Sequence, residues 1–143
     1  MRIRQISVFI ENRAGRLETV AKQLGDAGIN IRALSLADTS DFGILRLIVN
    51  RPEEASELLR RQGFTIRMTE VVAVEIPDVP GGLAGVLEVL GRGGVNVEYM
   101  YAFVEKARGK AVVVFRFENL DAAVKTLEAG SVRLLKEDDL LKL

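Results

Sequence analysis

The chain contains neither cysteine nor histidine. That removes disulfides, thiolate and imidazole metal ligands, every cysteine nucleophile and the Ser-His-Asp triad, so no metal and no cofactor is expected. Net charge is lacking too. Twenty Lys and Arg balance twenty Asp and Glu, which leaves no bulk field to gather nucleic acid or an anionic membrane. Long apolar runs are missing as well: the longest, Tyr99 to Val104, falls far short of the roughly 20 residues that span a bilayer. The start Met1-Arg2-Ile3-Arg4 carries no signal-peptide core, so a soluble cytoplasmic protein without nucleic-acid or membrane partners is expected.

What the chain does have is an internal repeat. Gly15 falls on Gly81, Leu17 on Leu83, Val20 on Val86, Leu24 on Leu90, Gly28 on Gly94 and Asn30 on Asn96, all at an offset of 66. Val8 and Val74, Ile10 and Ile76, Gly25 and Gly91, and Gly43 and Gly109 keep the same register. The offset is too long for a solenoid unit and predicts two small folds, at residues 1–69 and 70–143. A fold of about 70 residues buries only about 60% of its unfolded surface, so association, as a homodimer, is expected.

Ile6, Val8 and Ile10 alternate with Ser7, Phe9 and Glu11, the period of a half-buried strand ending at Glu11. Leu17, Val20, Ala21 and Leu24 then make one helical stripe, which Gly28 stops. Strands are predicted over Ile29 to Ala37 and Ile44 to Val49, separated by the turn cluster Asp38-Thr39-Ser40-Asp41. Pro52 opens a second helix with Ala55, Leu58 and Leu59 as its stripe, Gly63 ends it, and Phe64 to Met68 supplies a last short strand. The second half repeats the order: strand Val72 to Ile76, helix from Leu83 to a stop at Gly94, strands Val95 to Val104 and Ala111 to Phe117. Asn119 reads as an N-cap, Gly130 as the end of that helix, Val132 to Leu135 as a strand and Glu137 as the start of a short acidic helix. The fold class is α+β, two tandem ferredoxin-like β-α-β-β-α-β modules with antiparallel sheets.

Function must come from the site, because this topology hosts unrelated activities. After each first strand comes a glycine loop: Asn12-Arg13-Ala14-Gly15-Arg16-Leu17, and 66 residues on Asp78-Val79-Pro80-Gly81-Gly82-Leu83. Each helix is then followed by Gly-Ile-Asn-Ile or Gly-Val-Asn-Val, at Gly28 to Ile31 and Gly94 to Val97. A strand, D-x-P-G-x-L, a helix and G-[IV]-N-[IV] resembles the ACT domain, once per half. The second copy keeps the loop motif in full, whereas the first has Asn12 for Asp78 and Ala14 for Pro80. The resemblance implies a regulatory module that binds a free amino acid. It implies a ligand site at Asn12, Arg13, Gly15, Leu17, Asn30, Ile31, Asp78, Pro80, Gly81, Gly82, Leu83, Asn96 and Val97. ACT modules usually sit on an enzyme or a DNA-binding domain; here both halves of the chain are taken up by modules, so a regulated enzyme or transcription factor is expected in trans.

The chemistry of such a loop stands without the resemblance. Glycine at a helix N-terminus lets a carboxylate reach backbone N–H groups and the positive end of the helix dipole. Asp78 or the Asn12 amide offers an acceptor for an ammonium, and Asn30 and Asn96 offer donors and an acceptor, as a zwitterion requires. The glycines equally suit backbone geometry alone, and the asparagines suit turns. Tyr99, Tyr101 and Phe103 alternate on one strand face where the first half has Ala33, Ser35 and Ala37, a pattern of interface or core packing. Two other function classes stay open. Arg108 to Phe115 matches much of an RNA-recognition strand, but Lys110 and Val112 replace its stacking aromatics. An enzyme would need a composite interface site, since no pair of carboxylates, lysines, tyrosines or hydroxyls recurs in a catalytic spacing; the reading is not an enzyme.

Overall fold

A computed structural model describes residues 2–38, 41–103 and 109–142. Thr39 and Ser40 of the turn cluster, Val104 of the predicted strand and Arg108 of the RNA-like strand lie outside the described residues. The chain divides into two compact units, Arg4–Thr69 and Met1–Ile3 with Glu70–Leu143, called here the first and second modules.

In the first module, β1 (Ile3–Glu11) is followed by α1 (Arg16–Asp26), β2 (Ile31–Asp38), β3 (Phe42–Val49), α2 (Pro52–Arg61) and the start of β4 (Thr65–Pro77). Strand β3 lies between β2 and β1, antiparallel to both, with Ile6 opposite Leu47 and Ile10 opposite Gly43. The alternation along β1 fixes which face is dry. Ile6, Val8 and Ile10 meet Leu45, Leu47 and Val49 of β3, Val20 and Leu24 of α1, and Ala55 and Leu59 of α2 in one buried cluster. Both helices therefore lie on the same face. Pro52 is in the first turn of α2, where its missing N–H costs no hydrogen bond.

The second module repeats the plan with the last part of β4, α3 (Gly82–Arg92), β5 (Val97–Ala102), β6 (Lys110–Phe117), α4 (Leu120–Ala129), β7 (Arg133–Leu135) and α5 (Glu137–Leu141). Its strand order is β7-β4-β6-β5, and its core joins Val72, Val74 and Ile76 to Val86, Leu90, Phe115, Phe117 and Leu127. The Asn119 side chain accepts from the Ala122 N–H at 3.1 Å, capping α4 as its position predicts. The α+β class and the repeated module are thus both present in the structure.

One expectation about the elements is corrected. The strands predicted at Phe64 to Met68 and Val72 to Ile76 are one strand, β4, of 13 residues. Thr69, Glu70 and Val71 between them include no glycine or proline, so nothing breaks the extended backbone. Gly130 ends α4 as its C-cap, as expected, at φ −85°, and the left-handed residue is Ser131, at φ +58°. Gly130 is also a contact: a Cβ there would lie 2.6 Å from Val89 Cγ1, and one at Gly93 would lie 2.6 Å from Thr126 Cγ2. These two glycines let α3 and α4 approach. On β6, Val112 and Val114 are as buried as Val113 and Phe115. On β5, Phe103 follows as a buried side chain, and Tyr99 and Tyr101 are half-buried.

Among the described residues, no helix is long and apolar enough to cross a membrane. Arg2 belongs to the second module, where its guanidinium pairs with Glu70 and Asp121. Those two carboxylates raise its pKa, Asp121 most, which keeps the group fully charged.

The helix contact separates two kinds of glycine by experiment. Gly130→Ala is expected to destabilise the protein by about 1–3 kcal/mol through overpacking against Val89. Gly91→Ala, within α3 and with open space around its Cβ position, is expected to stabilise by about 0.5–1 kcal/mol. Urea unfolding of the two variants reads both signs.

Candidate functional site

The two glycine loops are built alike. Each chain reversal from strand to helix requires one left-handed residue, supplied by Gly15 at φ +91° and Gly81 at φ +85°, the N-caps of α1 and α3. A Cβ at either would meet nothing within 4 Å, so glycine is needed there for conformation rather than for close approach. The Gly15 carbonyl starts the ladder of α1 by accepting from Thr19 N–H at 3.0 Å and Thr19 Oγ1 at 2.8 Å. The N–H groups of Leu17 and Glu18 lie ahead of that ladder, and no side chain at the N-cap reaches them. Asn12 and Asp78 play matching backbone parts: Asn12 N–H donates to Asp41 O at 2.9 Å, and Asp78 N–H to Gly109 O at 3.2 Å. Each loop is so tied to the turn after the second strand of its module.

The loops then diverge. In the second, the position after the left-handed glycine is Gly82, and a Cβ there would lie 2.0 Å from Pro77 O. The full D-x-P-G-G-L motif thus folds back onto its own strand end, with Asp78, Pro80 and Gly81 exposed and Gly82 and Leu83 half-buried. In the first loop that position is Arg16, whose guanidinium turns away to stack 4.6 Å from the centre of the Phe64 ring. Beside the first loop is a cavity of about 310 Å³, lined by the apolar Ile10, Ala14, Leu17 and Leu36 and by the polar Glu11, Asn12 and Arg13. Gly43 also lines it: a Cβ there would come within 3.3 Å of Leu36 Cδ1 and 3.6 Å of Ile10 Cγ1. The charged lining is a pair, Arg13 Nε lying 3.3 Å from Glu11 Oε2. Carboxylate and guanidinium side by side are what the two ends of a zwitterion require, next to a helix N-terminus that favours the anionic end.

Of the residues marked out by sequence, Asn12, Arg13, Gly15 and Leu17 come together on this cavity. Asn30 and Ile31 do not. They follow α1, whose 11 residues carry the chain about 16 Å back along the sheet. Asn30 is at the opposite end, where its N–H donates to Asn50 Oδ1 at 3.0 Å and its carbonyl accepts from Asn50 N–H at 3.2 Å. Its role there is to tie the start of β2 to the end of β3. Ile31 packs on the core of the first module. Asn96 and Val97 are displaced from the second loop in the same way. Asn96 lines a separate cavity of about 590 Å³ with Gly93, Gly94, Arg2, Asn119 and Asp121, and Val97 packs on the second core.

That second cavity is the larger, but its polar groups are already engaged: Arg2 with Asp121 and Glu70, and Asn119 with the backbone of α4. The first-loop cavity is the better candidate because it adjoins a helix N-terminus that no side chain caps, whereas Asn119 caps α4 beside the second. Sequence reasoning missed Glu11, Leu36 and Gly43. The recurrence of Gly43 at Gly109 was the signal available for one of them; Leu36 reaches the loop only through the pairing of β2 with β3. At the RNA-like strand, Val112 is buried to 2% exposure and offers no face for a base.

The family described as ACT domain pair matches residues 1–143. Among solved structures, protein BT0572 from Bacteroides thetaiotaomicron is 42% identical, with a TM-score of 0.94 over 100% of this chain and 98% of that one. The regulatory subunit of aspartate kinase from Thermus thermophilus, in its ligand-free form, is 18% identical with a TM-score of 0.67, over 89% of this chain and 91% of that one. The corresponding subunit from Thermus flavus gives 17% identity and a TM-score of 0.61, over 90% and 92%. These last two likenesses are of fold. No curated protein matches the chain.

The placement of the asparagines gives a direct expectation. Asn30→Ala and Asn96→Ala should leave binding at the first loop unchanged within twofold by calorimetric titration. Asn50→Ala, which removes the acceptor for Asn30 N–H, should lower stability by about 1 kcal/mol in melting curves.

Proposed function

The chain belongs to the ACT family as a domain pair, and from that premise we propose that it is a small-molecule-binding regulatory protein whose ligand is a free amino acid. The observation that carries this reading is the first-loop cavity, where Glu11 and Arg13 stand 3.3 Å apart beside the N-terminus of α1. Glu11 faces the ligand ammonium. Arg13 and the Leu17 and Glu18 N–H groups face its carboxylate, with Asn12 at the rim. The second loop, at Asp78, Pro80, Gly81, Gly82 and Leu83, is a further candidate, supported by its sequence motif and by the same helix-terminal geometry.

The protein is a sensor rather than an enzyme in this reading, and returns its ligand unchanged. Its output runs through association, as a homodimer and with a regulated enzyme or transcription factor in trans. Support for an interface comes from the first module, where Leu34 and Phe42 are 44% and 57% exposed on and beside the outer strand β2. Light scattering at tens of micromolar should give twice the chain mass; a monomer with and without ligand would overturn the dimer.

The ligand reading is tested by melting curves with each of the twenty amino acids at millimolar concentration. At about 100 times its dissociation constant a ligand stabilises by about 2.7 kcal/mol, and mass spectrometry should recover it intact. Glu11→Gln and Arg13→Gln should each weaken binding by roughly 10- to 150-fold with little change in apo melting, since both side chains are exposed. Binding of RNA oligomers with no response to any amino acid would overturn the reading.

A further inference from the structure

The first-loop cavity is lined by three polar residues and by four apolar ones, and that composition bears on which amino acids would suit it. Glu11, Asn12 and Arg13 are the polar ones, level with the end of β1 and the start of α1. The rest of the lining is hydrocarbon from Ile10, Ala14, Leu17 and Leu36, with Leu36 and Ile10 drawn in close over Gly43. Leu17 and Leu36 are 42% and 49% exposed, so two large apolar side chains border the cavity without being covered by the module's own core. Among the described residues that line the cavity there is one ionic pair, Glu11 with Arg13, and it matches the main-chain ends that all amino acids share.

We propose that this cavity is selective for amino acids with aliphatic side chains, with Leu17 and Leu36 as the specificity-determining residues. The inference rests on the amino-acid reading above and adds the substrate class. With its main-chain groups held by Glu11, Arg13 and the helix terminus, a ligand directs its side chain against Leu17 and Leu36. Hydroxyl, amide or charged groups there lose water and find no partner on the apolar lining. Methyl and methylene groups exchange water for that lining, and one methylene in an apolar pocket discriminates by roughly 10- to 200-fold. Arg16, the nearest further cation in sequence, is held on Phe64 and supplies no partner for an acidic side chain.

The test is calorimetric titration of the full chain with valine against threonine, which share shape and differ in polarity, and with leucine against asparagine. Valine should bind roughly 10- to 100-fold more tightly than threonine, and leucine should exceed asparagine by at least as much. Leu36→Asn, at an exposed position that should leave folding intact, should bring the valine-to-threonine ratio down to within about threefold. Threonine binding as tightly as valine, or an unchanged ratio in Leu36→Asn, would overturn the aliphatic selectivity while leaving the amino-acid reading in place. Failure of all twenty amino acids to bind would overturn both.

Discussion

In each module a helix stripe is buried on the first strand, and the rest of the geometry follows from holding that contact. Val20 and Leu24 of α1 close over Ile6, Val8 and Ile10 of β1, and Val86 and Leu90 of α3 close over Val72, Val74 and Ile76 of β4. To lay the helix back on the strand that leads into it, the chain must reverse within four residues after Glu11 or Pro77. A left-handed glycine makes the reversal, Gly15 or Gly81, because other residues pay about 1–2 kcal/mol for that conformation. The glycine has no side chain with which to cap the helix, so the positive end of α1 stays available beside the end of β1. A candidate binding position is thus a by-product of the packing.

The same scaffold then takes different uses in its two copies. In the second module Gly82 folds against Pro77, and Gly93 and Gly130 bring α3 and α4 into close contact with Thr126 and Val89. Small residues there are used for packing. In the first module Arg16 replaces the second loop glycine and leaves for Phe64, while Ile10 and Leu36 close over Gly43. The loop with the better-preserved motif is therefore the more tightly folded one, and the loop that departs from the motif is the one beside the cavity. Motif completeness reports the backbone geometry of the turn, whereas a cavity depends on side chains that come from other strands.

The sequence by itself determined the repeat, the order of elements, the dry face of each strand and the helix ends at Pro52 and Asn119. Each is local or periodic: alternation along β1, the stripe along α1, a ring that suits a first turn, an amide that caps three residues ahead. Composition likewise determined which chemistries are out of reach. Tertiary structure alone decided what meets at the site. Asn30 and Asn96 share a motif with the glycine loops in sequence, yet an intervening helix about 16 Å long carries them to the other end of the sheet. Leu36 and Gly43, which no local pattern connects to Leu17, arrive there because β2 returns along β3 in the register that sets Leu36 opposite Leu45 and Ile10 opposite Gly43. Spacing along a chain specifies what one element does; which ends of different elements converge is set by the direction in which each is packed.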